Sequence, residues 1–448
     1  MTPKPLANYA VHTIGGGWGQ EQFDEKHTVR VAVIRGTDIP KVAIGDVSAV
    51  PRRWETPRKV ETRLLRPNDI VIEVSGGSPT SGQHTGRALF VTKEMIDQLG
   101  GSVIPASFCR LLRLDGSEID SRYVTYQIAG LHLSGEIGQF ENQSTGLANF
   151  QFQKFIDSVS PYISEVTEQH RISDVLGCLD ARIRHNRALA AKLEAIARRL
   201  FKSWFVDFDP VRAKVAGEKP FGLADDIAAL FPDRFVDSEL GEIPEGWSVT
   251  TLGEAFDINP KRTLSKGTMA PYLDMANTPT TGHVPDQIIN RAFSSGSKFI
   301  NGDTLLARIT PCLENGKAAF VDFLEDKAVG WGSTEFIVMR PKAKLPEYFG
   351  YLLARYEPFK AHAIASMSGT SGRQRVQPDS LATWELVLPS ETVAMAFGQI
   401  VESMRALIAS ANEEIRVLRN IRDLLLPRLI SGKLRVSEAE EAITEAMV

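Results

Sequence analysis

The sequence predicts an α+β chain written twice, with the order globular region, long helix, globular region, long helix. Three observations carry this. Two distant segments share one apolar register when the chain is slid on itself by 225 residues. Both segments lack proline over a length that suits a long helix. The regions preceding them mix short β-type runs with Gly, Pro, Ser and Thr turns.

The helical register comes first. At this offset Leu176 meets Val401, Leu179 meets Met404 and Ile183 meets Ile408. Leu193 then meets Leu418, Ile196 meets Ile421 and Leu200 meets Leu425. Spacings of mostly three, four and seven describe one apolar face with a near-heptad period. No proline occurs between Pro161 and Pro210 or between Pro389 and Pro427. About 40 helical residues would span about 60 Å at ~1.5 Å per residue.

In the globular regions, "RPNDIVIEVSGG" (Arg66–Gly77) and "INGDTLLARITP" (Ile300–Pro311) read as one element repeated at an offset of 234. Each has a turn, an aspartate (Asp69, Asp303), an apolar strand and a polar loop. The expected boundaries are 1–160, first globular domain; 161–209, central helix; 210–246, linker; 247–389, second globular domain; 390–432, C-terminal helix; and 433–448, acidic tail. Duplication favours a pseudo-two-fold arrangement with the helices antiparallel, and near-heptad spacing favours left-handed coiling. "IPEGWSVTTLGE" opens the second half; the first opens "ANYAVHTIGGGWG", which suggests a different lead-in.

Charge is informative locally. The chain has 51 Lys and Arg against 55 Asp and Glu, a net charge of −4. Removing the four glutamates of the tail (Glu438, Glu440, Glu441, Glu445) leaves balance. Between Arg182 and Lys202 stand Arg182, Arg184, Arg187, Lys192, Arg198, Arg199 and Lys202, with Glu194 as the one acid. Local basic surfaces are therefore compatible with the global figure. No apolar run approaches the roughly 18 residues of a membrane span, and the N-terminus lacks the pattern of a secretory leader. Three isolated cysteines suit a reducing cytoplasm and no disulfide framework.

Chemistry-bearing motifs are missing. "INPKR" has Lys261 where an NPPY-type methyltransferase motif has its second proline, and "GGGWGQ" (Gly15–Gln20) reads as a turn or close backbone approach rather than a dinucleotide loop. No phosphate-cradling GxxxxGK[ST] and no HExxH occurs, so no cofactor or metal site is expected on this chain.

"LEAIARRLFKSWFVDFDPVRAK" with "LFPDRFVDSELGEIPEGWSVTTLGE" resembles the central region of the specificity subunits of type I restriction–modification enzymes. "LRNIRDLLLPRLISGKL" resembles that family's C-terminal region, and "YLDMANTPTTGHV" and "LARITPCLENGKAAF" resemble its second target-recognition domain. The resemblance implies two α/β target-recognition domains separated by two long antiparallel coiled-coil helices. It implies a non-catalytic subunit that reads a split, asymmetric double-stranded DNA site and docks two methyltransferase subunits. Restriction and translocation subunits complete the complex, and S-adenosylmethionine, ATP and Mg reside in the partners.

Base edges and phosphates are read by Arg, Lys, Asn, Gln, Ser, Thr and by glycine-rich backbone. The candidates in the first domain are Arg35, Thr37, Ser75, Gly76, Gly77, Ser78 and Arg87. In the second they are Arg308, Thr310, Asn315, Lys317, Ser333, Thr334, Ser371, Arg373, Gln374 and Arg375, with "SGTSGRQR" the strongest stretch. Arg198, Lys202, Trp204 and Phe205 are candidates for a partner interface, the other reading being that Trp204 and Phe205 close this chain's own core. A coiled-coil adaptor, a DNA-binding regulator and a self-sufficient enzyme are the competing functions.

Overall fold

The computed structural model describes residues 4–76, 84–144, 147–342, 344–370 and 372–446. It separates into two compact units, one made of Met1–His185 with Ile415–Val448 and the other of Asn186–Glu414. Two helices of 40 residues, Val166–Phe205 and Glu391–Ile430, contribute a portion to each unit. Mixed α and β structure and an internal repeat are both present.

In the first unit a four-stranded sheet runs in the order Ala10–Gly15, Cys109–Leu114, Ile70–Glu73, Ala88–Phe90. Beside it lies a three-stranded sheet, Arg52–Glu55, Val29–Ile34, Val103–Pro105, whose last pair is parallel. The second unit repeats this. Its first sheet runs Phe256–Ile258, Phe336–Pro341, Thr304–Ala307, Ala318–Phe320. The other runs Ile289–Ala292, Met269–Leu273, Gly330–Gly332, Ser297–Phe299, with Met269–Leu273 parallel to Gly330–Gly332. All four residues of Ile70–Glu73 and of Thr304–Ala307 are buried, as two-sided central strands require.

The duplicated aspartate has a structural task. Asp69 and Asp303 are 1% and 0% exposed. Each accepts a bond from the N–H three residues earlier, Arg66 at 2.6 Å and Ile300 at 2.9 Å. The residue before each takes a left-handed conformation, Asn68 at φ 73° and Gly302 at φ 89°. An arginine on the neighbouring strand pairs with each: Arg113 with Asp69 at 2.7 Å, Arg340 with Asp303 at 3.3 Å. The registers match, since Ile70 faces Leu112 and Thr304 faces Met339. Arg262 adds a second cation to Asp303 at 3.1 Å. Burial nevertheless pushes the Asp303 carboxyl up, against the opposing pull of Ile300 and the two arginines.

The different lead-in expected for the first half is corrected. Leu6–Gly15 does the work of Leu252–Ile258: a short helical turn, then an edge strand pairing Ala10 with Leu114 in one unit and Phe256 with Pro341 in the other. The N–H of Leu6 donates to Val159 O at 2.8 Å, as that of Leu252 does to Trp384 O at 2.7 Å. Side chains diverged where backbone hydrogen bonds did not. "GGGWGQ" is a close backbone approach: a Cβ on Gly16 would lie 2.1 Å from Ala106 O.

The long helices bury the expected seam in part. In the first unit Ile172, Leu176, Leu179 and Ile183 pack with Ile415, Leu418, Leu425 and Leu429. In the second, Ala197, Phe201, Trp204 and Phe205 pack with Val393, Phe397 and Val401. Ile196, placed on the seam by the register, is 45% exposed. Pro427, expected to bound the second helix, lies inside it. That helix is also the one among the described residues long and apolar enough to cross a membrane by composition, with a mean hydropathy of 1.2 over its most apolar 18 residues. The acidic tail forms a helix, Val436–Ala446, and buries Ala439 completely in the first unit's core.

Candidate nucleic-acid interface

In both units the chain leaves the central strand and continues as a short ribbon flanked on either side. After Ile70–Glu73, the N–H of Val74 donates to Phe108 O at 2.8 Å and Val74 O accepts from Phe150 N at 2.9 Å. Ser75 then pairs with Asn149. After Thr304–Ala307, Arg308 N donates to Glu335 O at 2.9 Å and Arg308 O accepts from Val376 N at 2.9 Å. Ile309 then pairs with Arg375. The same backbone platform thus stands in both units with different side chains upon it.

Charge on the first platform centres on Glu73, 1% exposed. Gly36 and Gly76 both approach it so closely that a Cβ would lie 2.3 Å and 2.4 Å from its Oε1. Arg87 closes the cluster, donating to both oxygens at 2.7 and 2.9 Å, and this bond holds its guanidinium pKa above the ordinary value. Nearby Cys109 is buried, and its thiol is pushed up to about 12 by desolvation first and Glu73 second. Arg35 is tied to buried Asp38 at 2.8 Å, while Thr37 beside it is exposed.

On the second platform Glu335 is the centre. Arg375 grips it in bidentate fashion at 2.7–3.0 Å, and Arg308 stands 4.0 Å away. Glu335 N donates to Ser333 Oγ at 3.1 Å, and Thr310 N donates to Gln374 O at 3.1 Å. The structure therefore brings together Arg308, Thr310, Ser333, Thr334, Gln374 and Arg375. Exposed Arg373 lies beside them and has no ion-pair partner among the described residues. Asn315 is exposed on the following loop. Lys317 is spent on the carbonyls of Met275 and Ala276, a structural use of its ammonium. Gly77, Ser78 and Ser371 lie outside the described residues.

The four helix candidates divide. Trp204 and Phe205 are 1% and 6% exposed and sit in the second unit's own core, so the core reading replaces the partner-interface one. The Trp204 ring meets those of Phe231 and Phe397 at centroid distances of 4.8 and 5.6 Å. Arg198 and Lys202 remain exposed, donating to Arg355 O at 3.2 Å and pairing with Asp207 respectively. The lone acid of the basic stretch, Glu194, is buried and accepts from Tyr351 at 2.8 Å.

Sequence reasoning missed several site residues. Arg355, 8% exposed, donates to the carbonyls of Thr280 at 2.8 Å, Gly282 at 2.6 Å and Ala318 at 3.0 Å, and so ties the loop at 280–282 to the strand Ala318–Phe320. Phe108, 65% exposed, holds in the first unit the place of Glu335. Asn142 and Asn149 are exposed on the paired strands Glu141–Ser144 and Leu147–Phe150. One available signal was the likeness of "NQSTGLANFQ" to "SGTSGRQRVQ" at an offset of 226. Among the described residues no group of three or more His, Cys, Asp or Glu is arranged to hold a metal ion.

Fold and site define a duplicated two-unit protein with matched polar platforms. Proteins similar to this chain in sequence are named as specificity subunits of type I restriction enzymes. Over 293 aligned positions the chain is 27% identical to the type I restriction enzyme MjaIX specificity subunit of Methanocaldococcus jannaschii, covering 62% of this chain and 61% of that protein. Over 333 positions it is 26% identical to the HindI specificity subunit of Haemophilus influenzae, covering 62% of this chain and 70% of that protein. The EcoAI specificity subunit of Escherichia coli is 32% identical over 142 positions, 30% of this chain and 24% of that one. The crystal structure of a type I restriction–modification S subunit from M. genitalium superposes with a TM-score of 0.53 at 15% identity, covering 96% of this chain and 95% of that one, a likeness of fold. No family model matches the sequence. In sequence the chain is thus similar to type I restriction enzyme specificity subunits, and it spans about three fifths of the length of the MjaIX subunit.

Proposed function

We propose that this chain is the DNA-reading, non-catalytic specificity subunit of a type I restriction–modification complex. Each unit reads one part of a split, asymmetric double-stranded target. The long helices dock two methyltransferase subunits for adenine methylation, and restriction subunits add ATP-driven translocation and cleavage in the cytoplasm. S-adenosylmethionine, ATP and Mg belong to those partners. The observation carrying this reading is the pair of matched platforms. Equal backbones with unlike side chains, Ser75 and Asn149 against Ile309 and Arg375, are what two different half-sites require.

The test is a methylation map. The chain is expressed with its methyltransferase partner in a methylation-free host and modified adenines are sequenced. An asymmetric split motif that disappears when this chain is omitted is the expected result. A palindromic or contiguous motif, or none from a co-purifying complex, overturns the reading. Within it, Arg373→Ala relaxes one base position by about 1–3 kcal/mol of discrimination if the guanidinium meets a base edge. A uniform loss of affinity with a flatter salt slope assigns Arg373 to a phosphate instead.

A further inference from the structure

We infer that base reading in the first unit is done by the cross-strand row Ser75–Asn149–Asn142, and in the second by its counterpart Ile309–Arg375–Ser368. The inference rests on the DNA-reading function proposed above and specifies its residues and base preference. The two rows are equivalent by backbone pairing. Ser75 pairs with Asn149, which faces Asn142 across the antiparallel ribbon. Ile309 pairs with Arg375, which pairs with Ser368 through reciprocal bonds of 2.9 and 3.0 Å.

The first row is presented outward from a fixed base. Ala148 and Phe150 on either side of Asn149 are 3% and 6% exposed, so strand alternation turns Asn149 to solvent. Asn142 is exposed on the same face. Phe150 packs on Phe140 and Phe155 at centroid distances of 6.3 and 5.2 Å, and Glu141 accepts from Thr85 N at 2.5 Å. A two-stranded ribbon is one of the elements the major groove admits, and the asparagine amide matches the N6 and N7 edge of adenine.

The two copies differ as a set rather than at single positions. Where the second unit has Arg375, Glu335 holds its Nε and Nη2 and the Arg373 carbonyl accepts from its Nη1 at 3.3 Å, which leaves one N–H on each of Nη1 and Nη2 for an acceptor pair. Guanine O6 and N7 form such a pair. Where the first unit has Asn149, the place of Glu335 is taken by Phe108, 65% exposed. The acid is absent where there is no arginine for it to orient, and an exposed ring stands where a thymine methyl can be met. The first row therefore favours an A·T pair and the second a G·C pair.

The experiment maps methylation, and measures DNA binding by the intact complex, for Asn149→Ala, Asn142→Ala and Arg375→Ala beside the wild type. The two asparagine variants are expected to relax an A·T position in one half-site by about 10-fold or more, leaving the other half-site intact. Arg375→Ala is expected to relax a G·C position in the other half alone. Folded variants that keep the wild-type preference, or lose affinity equally for all sequences, overturn this inference. A wild-type complex marking no split motif overturns the functional reading with it, so the two failures are told apart.

Discussion

Removing the Trp204 indole separates a core role from a partner role. The ring is 1% exposed and touches Phe231, Phe397 and Phe205 at centroid distances of 4.8, 5.6 and 6.2 Å. A tryptophan buries roughly 200 Å², which at ~25 cal/mol per Å² is about 5 kcal/mol as an upper bound. Large-to-small core replacements of aromatic residues cost about 3–5 kcal/mol. Trp204→Ala is therefore expected to destabilise the second unit by about 3–5 kcal/mol, against a total of roughly 5–15 kcal/mol for a typical domain. With a urea m-value near ~3 kcal/mol/M for a unit of this size, the midpoint falls by about 1–1.7 M. Far-ultraviolet circular dichroism along a urea series reads this without relying on the deleted fluorophore. Trp204→Phe, which keeps an aromatic ring in place, should recover most of the loss. A midpoint within about 0.3 M of wild type, combined with loss of methyltransferase co-purification, would refute the core assignment.

Three further expectations follow from the charge clusters. Asp303→Ala strands Arg262 and leaves Arg340 with Glu347 and the Asn301 carbonyl, and thermal unfolding should show a loss of about 2–3 kcal/mol, the scale of hydrogen bonds to charged groups; an unchanged melting temperature would remove the aspartate from the scaffold. Gly36→Ala drives a Cβ to 2.3 Å from Glu73 Oε1, and overpacking of this kind costs about 1–3 kcal/mol; a fully stable variant would show that the Glu73–Arg87 pair can move aside. Asp322 is opposed by burial, yet its bonds from His283 and Arg405 keep its pKa below the ordinary carboxylate value. A depressed pKa contributes stability above the unfolded value of about 3.9, and that contribution is lost as pH falls through the folded value. The gap in unfolding midpoint between wild type and Asp322→Asn should accordingly narrow below about pH 4; a gap independent of pH would show that the charge is not its source.

The long helices and the repeat were legible in the sequence because their causes are local and periodic. A near-heptad apolar spacing with no interrupting proline leaves few alternatives, and Leu176, Ile183, Val401 and Ile408 are all buried as that spacing requires. The repeated aspartate turn was legible for a similar reason, since a buried carboxylate capping its own turn restricts residue type. Tyr123 and Tyr126 also recur at 225 residues as Tyr348 and Tyr351, a likeness the helical register alone would have reached had it been extended upstream. The lead-in strands were not legible: Leu6–Gly15 and Leu252–Ile258 share backbone pairing, which leaves no signature in side chains.

The sequence by itself determined the duplicated α+β organisation, the long helices and the strand-end loops as the places where polar groups gather. Tertiary structure decided which of those groups are available. Lys317, Arg87 and Arg375 look alike as letters, yet one is consumed by carbonyls, one by a buried carboxylate and one is held by an acid that leaves part of its fork open. It also turned Trp204 inward and Phe108 outward. Periodicity fixes the face of a helix through near-neighbour geometry. The partner of an arginine, or the side of a ring that meets water, depends on residues far apart in the chain that only packing brings together.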